Sequence, residues 1–196
     1  MSNQNQQKVR FWNVPNTLTV LRMVAIPVFV GVFYLPYSWS YFWAAVLFAL
    51  AGITDWLDGY MARRLNQSTR LGAFLDPVAD KLMVVIALVL LVEVYASALL
   101  AIPALTIIAR EVAVSALREW MAEIGKRANV KVSKIGKIKT TVQIIAITGL
   151  LAKEPSMTDP IVVAAFLALY LAMGLTLWSM MIYLKAAWPH LTSDIE

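Results

Sequence analysis

Thr54-Asp55-Trp56-Leu57-Asp58-Gly59-Tyr60-Met61-Ala62-Arg63 closes one apolar run of this chain, and Gly72-Ala73-Phe74-Leu75-Asp76-Pro77-Val78-Ala79-Asp80-Lys81 opens the next. Each run has roughly the 20 residues that a helix needs to cross a hydrocarbon core. Read as helices, they put Asp55 and Asp58 three residues apart on one face, and Asp76 and Asp80 four apart on another. The connection is short, so the two helices are expected to be antiparallel neighbours. All four carboxylates then converge at one end of a helical hairpin, just inside the membrane boundary.

The rest of the chain fits that setting. Of its 196 residues, 60% are hydrophobic and only 15% charged, where a soluble domain sits nearer half and a quarter. Apolar stretches fall at 17–36, 41–62, 75–95, 99–122, 138–153 and 160–186. Lipid offers backbone groups no water to bond, so each stretch is expected to be a helix. The sequence therefore predicts an all-α integral membrane protein of six transmembrane helices. No repeat, linker or low-complexity segment divides it, so one domain is expected over 1–196, with a polar N-terminus at 1–12 and a tail at 187–196. The first ten residues are polar and no small-residue cleavage site follows the first run, which reads as a span rather than a leader.

Basic residues give the orientation. Lys8, Arg10 and Arg22 surround the start of the first run, and Arg63, Arg64, Arg70 and Lys81 the second connection. Lys126, Arg127, Lys131, Lys134, Lys137 and Lys139 fill the fourth connection, while the alternate connections carry little beyond Lys153. By the positive-inside rule both termini, both basic loops and the aspartate cluster face the cytoplasm. Trp12, Trp39, Trp43 and Trp188 lie near run ends, as interfacial aromatics do. The net charge of +5 is thus spent on membrane orientation, and nucleic acid is not an expected partner.

The chemistry must use carboxylates, basic groups and hydroxyls. Cysteine is absent and His190 is the single histidine, which excludes thiolate and multi-histidine sites. An intramembrane Asp costs roughly 2.5–3.5 kcal/mol, so four at full depth cost on the order of 10 kcal/mol before their mutual repulsion is counted. Bound divalent cations remove both penalties. Hard carboxylate oxygens favour Mg²⁺, Mn²⁺ or Ca²⁺ over Zn²⁺, and two carboxylate pairs suit a two-metal clamp of the kind used in phosphoryl transfer. The bland alternative is that the aspartates form juxtamembrane salt bridges with Arg63, Arg64, Arg70 and Lys81. A divalent-cation transporter would also need intramembrane carboxylates. It would not need the glycines and arginine spaced among them, nor would it confine the carboxylates to one membrane face.

These residues form Asp55-x2-Asp58-Gly59-x2-Ala62-Arg63-x8-Gly72-x3-Asp76-x3-Asp80, eight fixed positions. The pattern resembles the complete signature of the CDP-alcohol phosphotransferase family. Further segments are similar to members whose acceptor is sn-glycerol 3-phosphate: Pro15-Asn16-Thr17-Leu18-Thr19-x2-Arg22, Asn66-Gln67-Ser68-Thr69-Arg70, Ala109-Arg110-Glu111-x3-Ser115-x2-Arg118-Glu119-Trp120 and Gly136-Lys137-Ile138-Lys139-Thr140-Thr141. The resemblance implies two divalent ions, Mg²⁺ or Mn²⁺, held by Asp55, Asp58, Asp76 and Asp80, with Asp80 also the general base. It implies that Asn16, Thr19, Gly59, Ala62, Arg63 and Thr69 form the CDP-diacylglycerol site. It also suggests a cytoplasm-facing active-site cavity and a homodimer in the bacterial inner membrane, among lipids.

A phosphorylated acceptor needs a second basic site. Arg110 and Arg118 stand inside the fourth apolar run, and Lys134, Lys137 and Lys139 lead into the fifth, so these five are the expected acceptor-phosphate contacts. Each has a plain alternative: pairing with Glu111 or Glu119 for the arginines, anionic lipid for the lysines. Serine or inositol phosphate stays open as an acceptor at this stage.

Overall fold

The computed structural model describes residues 14–65, 70–125 and 134–191. Every regular element among the described residues is a helix: α1 Val14–Phe33, α2 Ser40–Leu65, α3 Arg70–Tyr95, α4 Ala98–Glu123, α5 Lys134–Leu151 and α6 Pro160–Leu191. Each apolar run has become one helix. The helices overrun the apolar runs mainly at the basic ends: α2 continues to Leu65, α3 begins at Arg70, α5 at Lys134, and α6 takes in 187–191 of the expected tail. Hydropathy marks what lipid can cover, whereas hydrogen bonding continues the helix into the polar boundary.

Local chemistry sets the ends. Pro36, which has no N–H to continue a helix, lies in the turn after α1, where Ser40 N–H donates to the Tyr37 carbonyl at 2.9 Å. Only Ala96 and Ser97 separate α3 from α4. Ala96 turns the chain at φ 43°, and the Ser97 hydroxyl caps α4 by accepting from Leu99 N–H at 3.3 Å. Gly125, at φ 69°, closes the C-terminus of α4 in the left-handed conformation that glycine adopts without a Cβ penalty. Pro160 opens α6, and the Asp159 carboxylate before it accepts from Ile161 N–H at 2.8 Å.

The chain forms two compact units, 1–84 and 85–196. In the first, α1 packs on α2. Phe29 meets Phe48 with ring centroids 6.3 Å apart, and Phe33 meets the edge of Tyr41 at 5.8 Å. Rising numbers on α1 are matched by falling numbers on α2, so the pair is antiparallel.

In the second unit α4 and α5 both pack on α6. Tyr170 donates to the Leu99 carbonyl at 2.9 Å, and Arg110 reaches Ser179 at 2.7 Å. Numbers therefore rise together on α4 and α6, and these helices run parallel. Gly149 of α5 lies so close to Ala165 of α6 that a Cβ on it would stand 2.9 Å from the Ala165 Cβ, a contact that only a glycine allows. Gly149 near the end of α5 thus faces Ala165 near the start of α6, the antiparallel sense. Helices four and six parallel, with five reversed, is the alternation that successive membrane crossings require.

Among the described residues, α4 and α6 are long and apolar enough to cross a membrane; Thr19–Phe33, Ser40–Thr54 and Ile138–Leu151 are shorter apolar segments. Large apolar side chains face outward along both long helices, among them Leu105, Val112, Leu167 and Trp178, each more than 60% exposed. Water would penalise that surface, and lipid would not. Trp39, Trp43 and Trp188 are also exposed, while Trp12 lies outside the described residues. Lys153, the exception to the charge asymmetry, sits 3.5 Å from Asp159 across the α5–α6 connection.

Candidate active site

The signature falls on two helices. Asp55, Asp58, Gly59, Ala62 and Arg63 lie in the last three turns of α2, and Asp76 and Asp80 in the first three turns of α3. Gly72, which reads in the sequence as a helix-start glycine, belongs to the first turn of α3. The backbone thus keeps both aspartate pairs at helical spacing, one near the C-terminus of α2 and the other near the N-terminus of α3. Their side chains, and those of Asn16, Ala62, Arg63, Lys134 and Lys137, lie outside the described residues, as does the whole of Thr69. The donor set itself fits a hard divalent ion: four carboxylates, and neither histidine nor cysteine among the residues of the two helices.

α1 adds to this end of the first unit. Thr19 and Arg22 are three residues apart, on one helical face, and both are buried. Phe29 lies beside Phe48 and Phe33 beside Tyr41, so the start of α1 runs in the direction of the end of α2. Thr19 was an expected contact; Arg22, an orienting charge that also closes the family-like segment around Thr19, is buried beside it.

A second polar cluster lies in the core of the second unit. Arg110 of α4 is nine-tenths buried, as only a paired charge can be. Its Nη1 donates to Glu111 Oε1 at 3.0 Å and its Nη2 to Ser179 Oγ at 2.7 Å. The guanidinium carbon stands 5.9 Å from the centroid of the Tyr183 ring. Lys139 of α5, also buried, pairs with the same oxygen of Glu111. Gln143 and Thr176 are buried as well. Three apolar helices have therefore turned their polar residues toward one another.

Of the five residues expected to hold an acceptor phosphate, the structure brings Arg110 and Lys139 together through Glu111. Arg118, eight residues further along α4, is exposed and stands apart from that pairing. Sequence reasoning did name Glu111 as a partner of Arg110, since the two are adjacent. It missed Thr176, Ser179 and Tyr183. Their spacing of three and four puts them on one face of α6, the only available signal, and nothing in that spacing names α4 as the partner.

Comparison with known proteins bears on both clusters. Residues 12–182 match the model of the CDP-alcohol phosphatidyltransferase family. A Pseudomonas fluorescens protein, CDP-diacylglycerol--glycerol-3-phosphate 3-phosphatidyltransferase, is 55% identical over 93% of this chain and 93% of its own length. The Escherichia coli (strain K12) protein of the same name is 55% identical over 90% of this chain and 95% of its own. A Shigella flexneri protein, again of that name, shows 55% identity over the same shares.

Proposed function

The chain belongs to the CDP-alcohol phosphatidyltransferase family, and on that premise we propose that it transfers the phosphatidyl group of CDP-diacylglycerol to sn-glycerol 3-phosphate, giving phosphatidylglycerophosphate and CMP. The observation that carries this reading is the 55% identity, over more than nine-tenths of both chains, to an enzyme named for that donor and acceptor. The family match runs through both compact units, which is why we treat the chain as one catalytic domain.

Asp55, Asp58, Asp76 and Asp80 hold two divalent cations in this proposal, Mg²⁺ or Mn²⁺. Bound there, the cations would neutralise the donor's diphosphate and polarise its phosphorus. Gly59 presents helix backbone without a side chain, so the nucleotide can lie against it beside Ala62. Arg63 offers a planar fork to phosphate oxygens, and Asn16, Thr19 and Thr69 complete the donor site. Asp80 accepts the proton of the acceptor's free primary hydroxyl. The oxygen so released attacks the phosphorus that carries diacylglycerol. The phosphoanhydride P–O bond breaks, and CMP leaves with the bonding pair as Arg63 meets its charge. Positioning and preorganised charge supply most of the rate.

The acceptor's own phosphate is assigned to Arg110 and Lys139, with Arg118, Lys134 and Lys137 further along the same two helices. Support for Arg110 comes from its Nε, a buried donor with no hydrogen-bond partner. A buried guanidinium N–H left open in this way can donate to an anionic oxygen. We place the protein in the bacterial cytoplasmic membrane as six spans, with both termini and the aspartates on the cytoplasmic side, and as a homodimer. Acceptor choice tests the function. Purified protein given CDP-diacylglycerol and equal concentrations of sn-glycerol 3-phosphate, serine and inositol phosphate is expected to make phosphatidylglycerophosphate alone. Preferential formation of phosphatidylserine or an inositol lipid would overturn the assignment.

A further inference from the structure

We propose that Ser179 of α6 is a positioning residue of the acceptor site, setting the Arg110 guanidinium so that its Nε stays open to a phosphate oxygen. The inference rests on Arg110 binding the acceptor's phosphate.

The hydrogen-bond inventory leads to it. A serine hydroxyl has one proton to give and two lone pairs to receive with. Ser179 gives its proton to the Thr176 carbonyl one turn back on its own helix, at 3.0 Å. The hydroxyl can then only accept from α4, and it does so from Arg110 Nη2 at 2.7 Å. Glu111 takes Nη1 from the other side, at 3.0 Å. Tyr183, four residues beyond Ser179 on the same face, places its ring 5.9 Å from the guanidinium carbon. A flexible side chain is thus held at both terminal nitrogens and supported by a ring. Of the three guanidinium nitrogens, Nε is the one that is buried and without a hydrogen-bond partner. Two of the three groups that set it belong to α6, the helix that carries none of the residues expected to bind substrate.

A merely structural serine and a positioning serine differ in kinetics. Without its hydroxyl, the guanidinium loses one of its two tethers and swings away from the phosphate before any acceptor binds. Ser179→Ala is expected to raise KM for sn-glycerol 3-phosphate about tenfold, the scale of one charge-assisted hydrogen bond. Its kcat and its KM for CDP-diacylglycerol should stay within about twofold. Ser179→Thr keeps a hydroxyl that can bond the same carbonyl one turn back, and is expected to restore the acceptor KM. Arg110→Ala, measured in parallel, separates two kinds of failure. If Arg110→Ala leaves the acceptor KM unchanged, the phosphate assignment itself is wrong. If Arg110→Ala raises it and Ser179→Ala does not, only the positioning role falls. A Ser179→Ala protein that loses kcat with its acceptor KM intact, or that does not fold, would make Ser179 structural and also overturn the proposal.

Discussion

Asp80→Asn keeps the size of the side chain and one oxygen for a metal, yet removes the proton acceptor. If Asp80 is both ligand and base, the variant should still bind CDP-diacylglycerol with divalent metal but lose turnover by ~10²–10⁴-fold. Asp55→Asn should weaken metal binding instead, so added Mg²⁺ should recover part of its activity. Metal titrations of the two variants decide the matter: rescue of both alike would reduce Asp80 to a ligand. At this scale the sequence was informative where spacing along one helix carries the meaning. Asp55 with Asp58, Asp76 with Asp80 and Arg110 beside Glu111 are all local relations. Ser179 is 69 residues from Arg110, and Lys139 is 28 from Glu111. Those meetings depend on how α4, α5 and α6 pack, which no pattern within one helix records.

Gly149 shows what packing demands of an element. A Cβ there would stand 2.9 Å from that of Ala165, so α5 and α6 approach more closely than side chains allow. Gly149→Val must push the helices apart, and overpacking of this kind costs about 1–3 kcal/mol. Thermal unfolding in detergent should show a lowered midpoint, together with a raised acceptor KM, because Lys139 and Ser179 sit on the two displaced helices. An unchanged midpoint would mean the helices do not approach so closely. The number and order of helices were legible because each apolar run is long enough to be one element and is punctuated by Pro36, Pro160 or a polar connection. The ends were less so. α3 starts at Arg70 rather than 75 and α5 at Lys134 rather than 138, since charged residues can continue a helix after its apolar face has ended.

Across the whole molecule, two signals of different origin point the same way. Basic residues gather in alternate connections, a property of the sequence alone. The parallel course of α4 and α6, with α5 reversed, is a property of packing, and it is the course that three consecutive spans would take. Arg110, Lys139, Gln143, Thr176 and Ser179 of the second unit are buried, while large apolar side chains such as Leu105, Val112 and Leu167 face out. In lipid that arrangement keeps charged and polar groups away from hydrocarbon. The central claim is that this chain joins CDP-diacylglycerol to sn-glycerol 3-phosphate on a carboxylate-bound metal. It is tested most directly by following ³²P from sn-glycerol 3-phosphate into the chloroform-soluble fraction, using purified protein, with and without CDP-diacylglycerol and EDTA. The account predicts label in lipid only when donor and divalent cation are both present, one CMP released per labelled lipid, and recovery when Mg²⁺ or Mn²⁺ is restored after chelation. Labelled lipid formed at an undiminished rate after thorough metal removal, or CMP released at the same rate with no acceptor present, would contradict it.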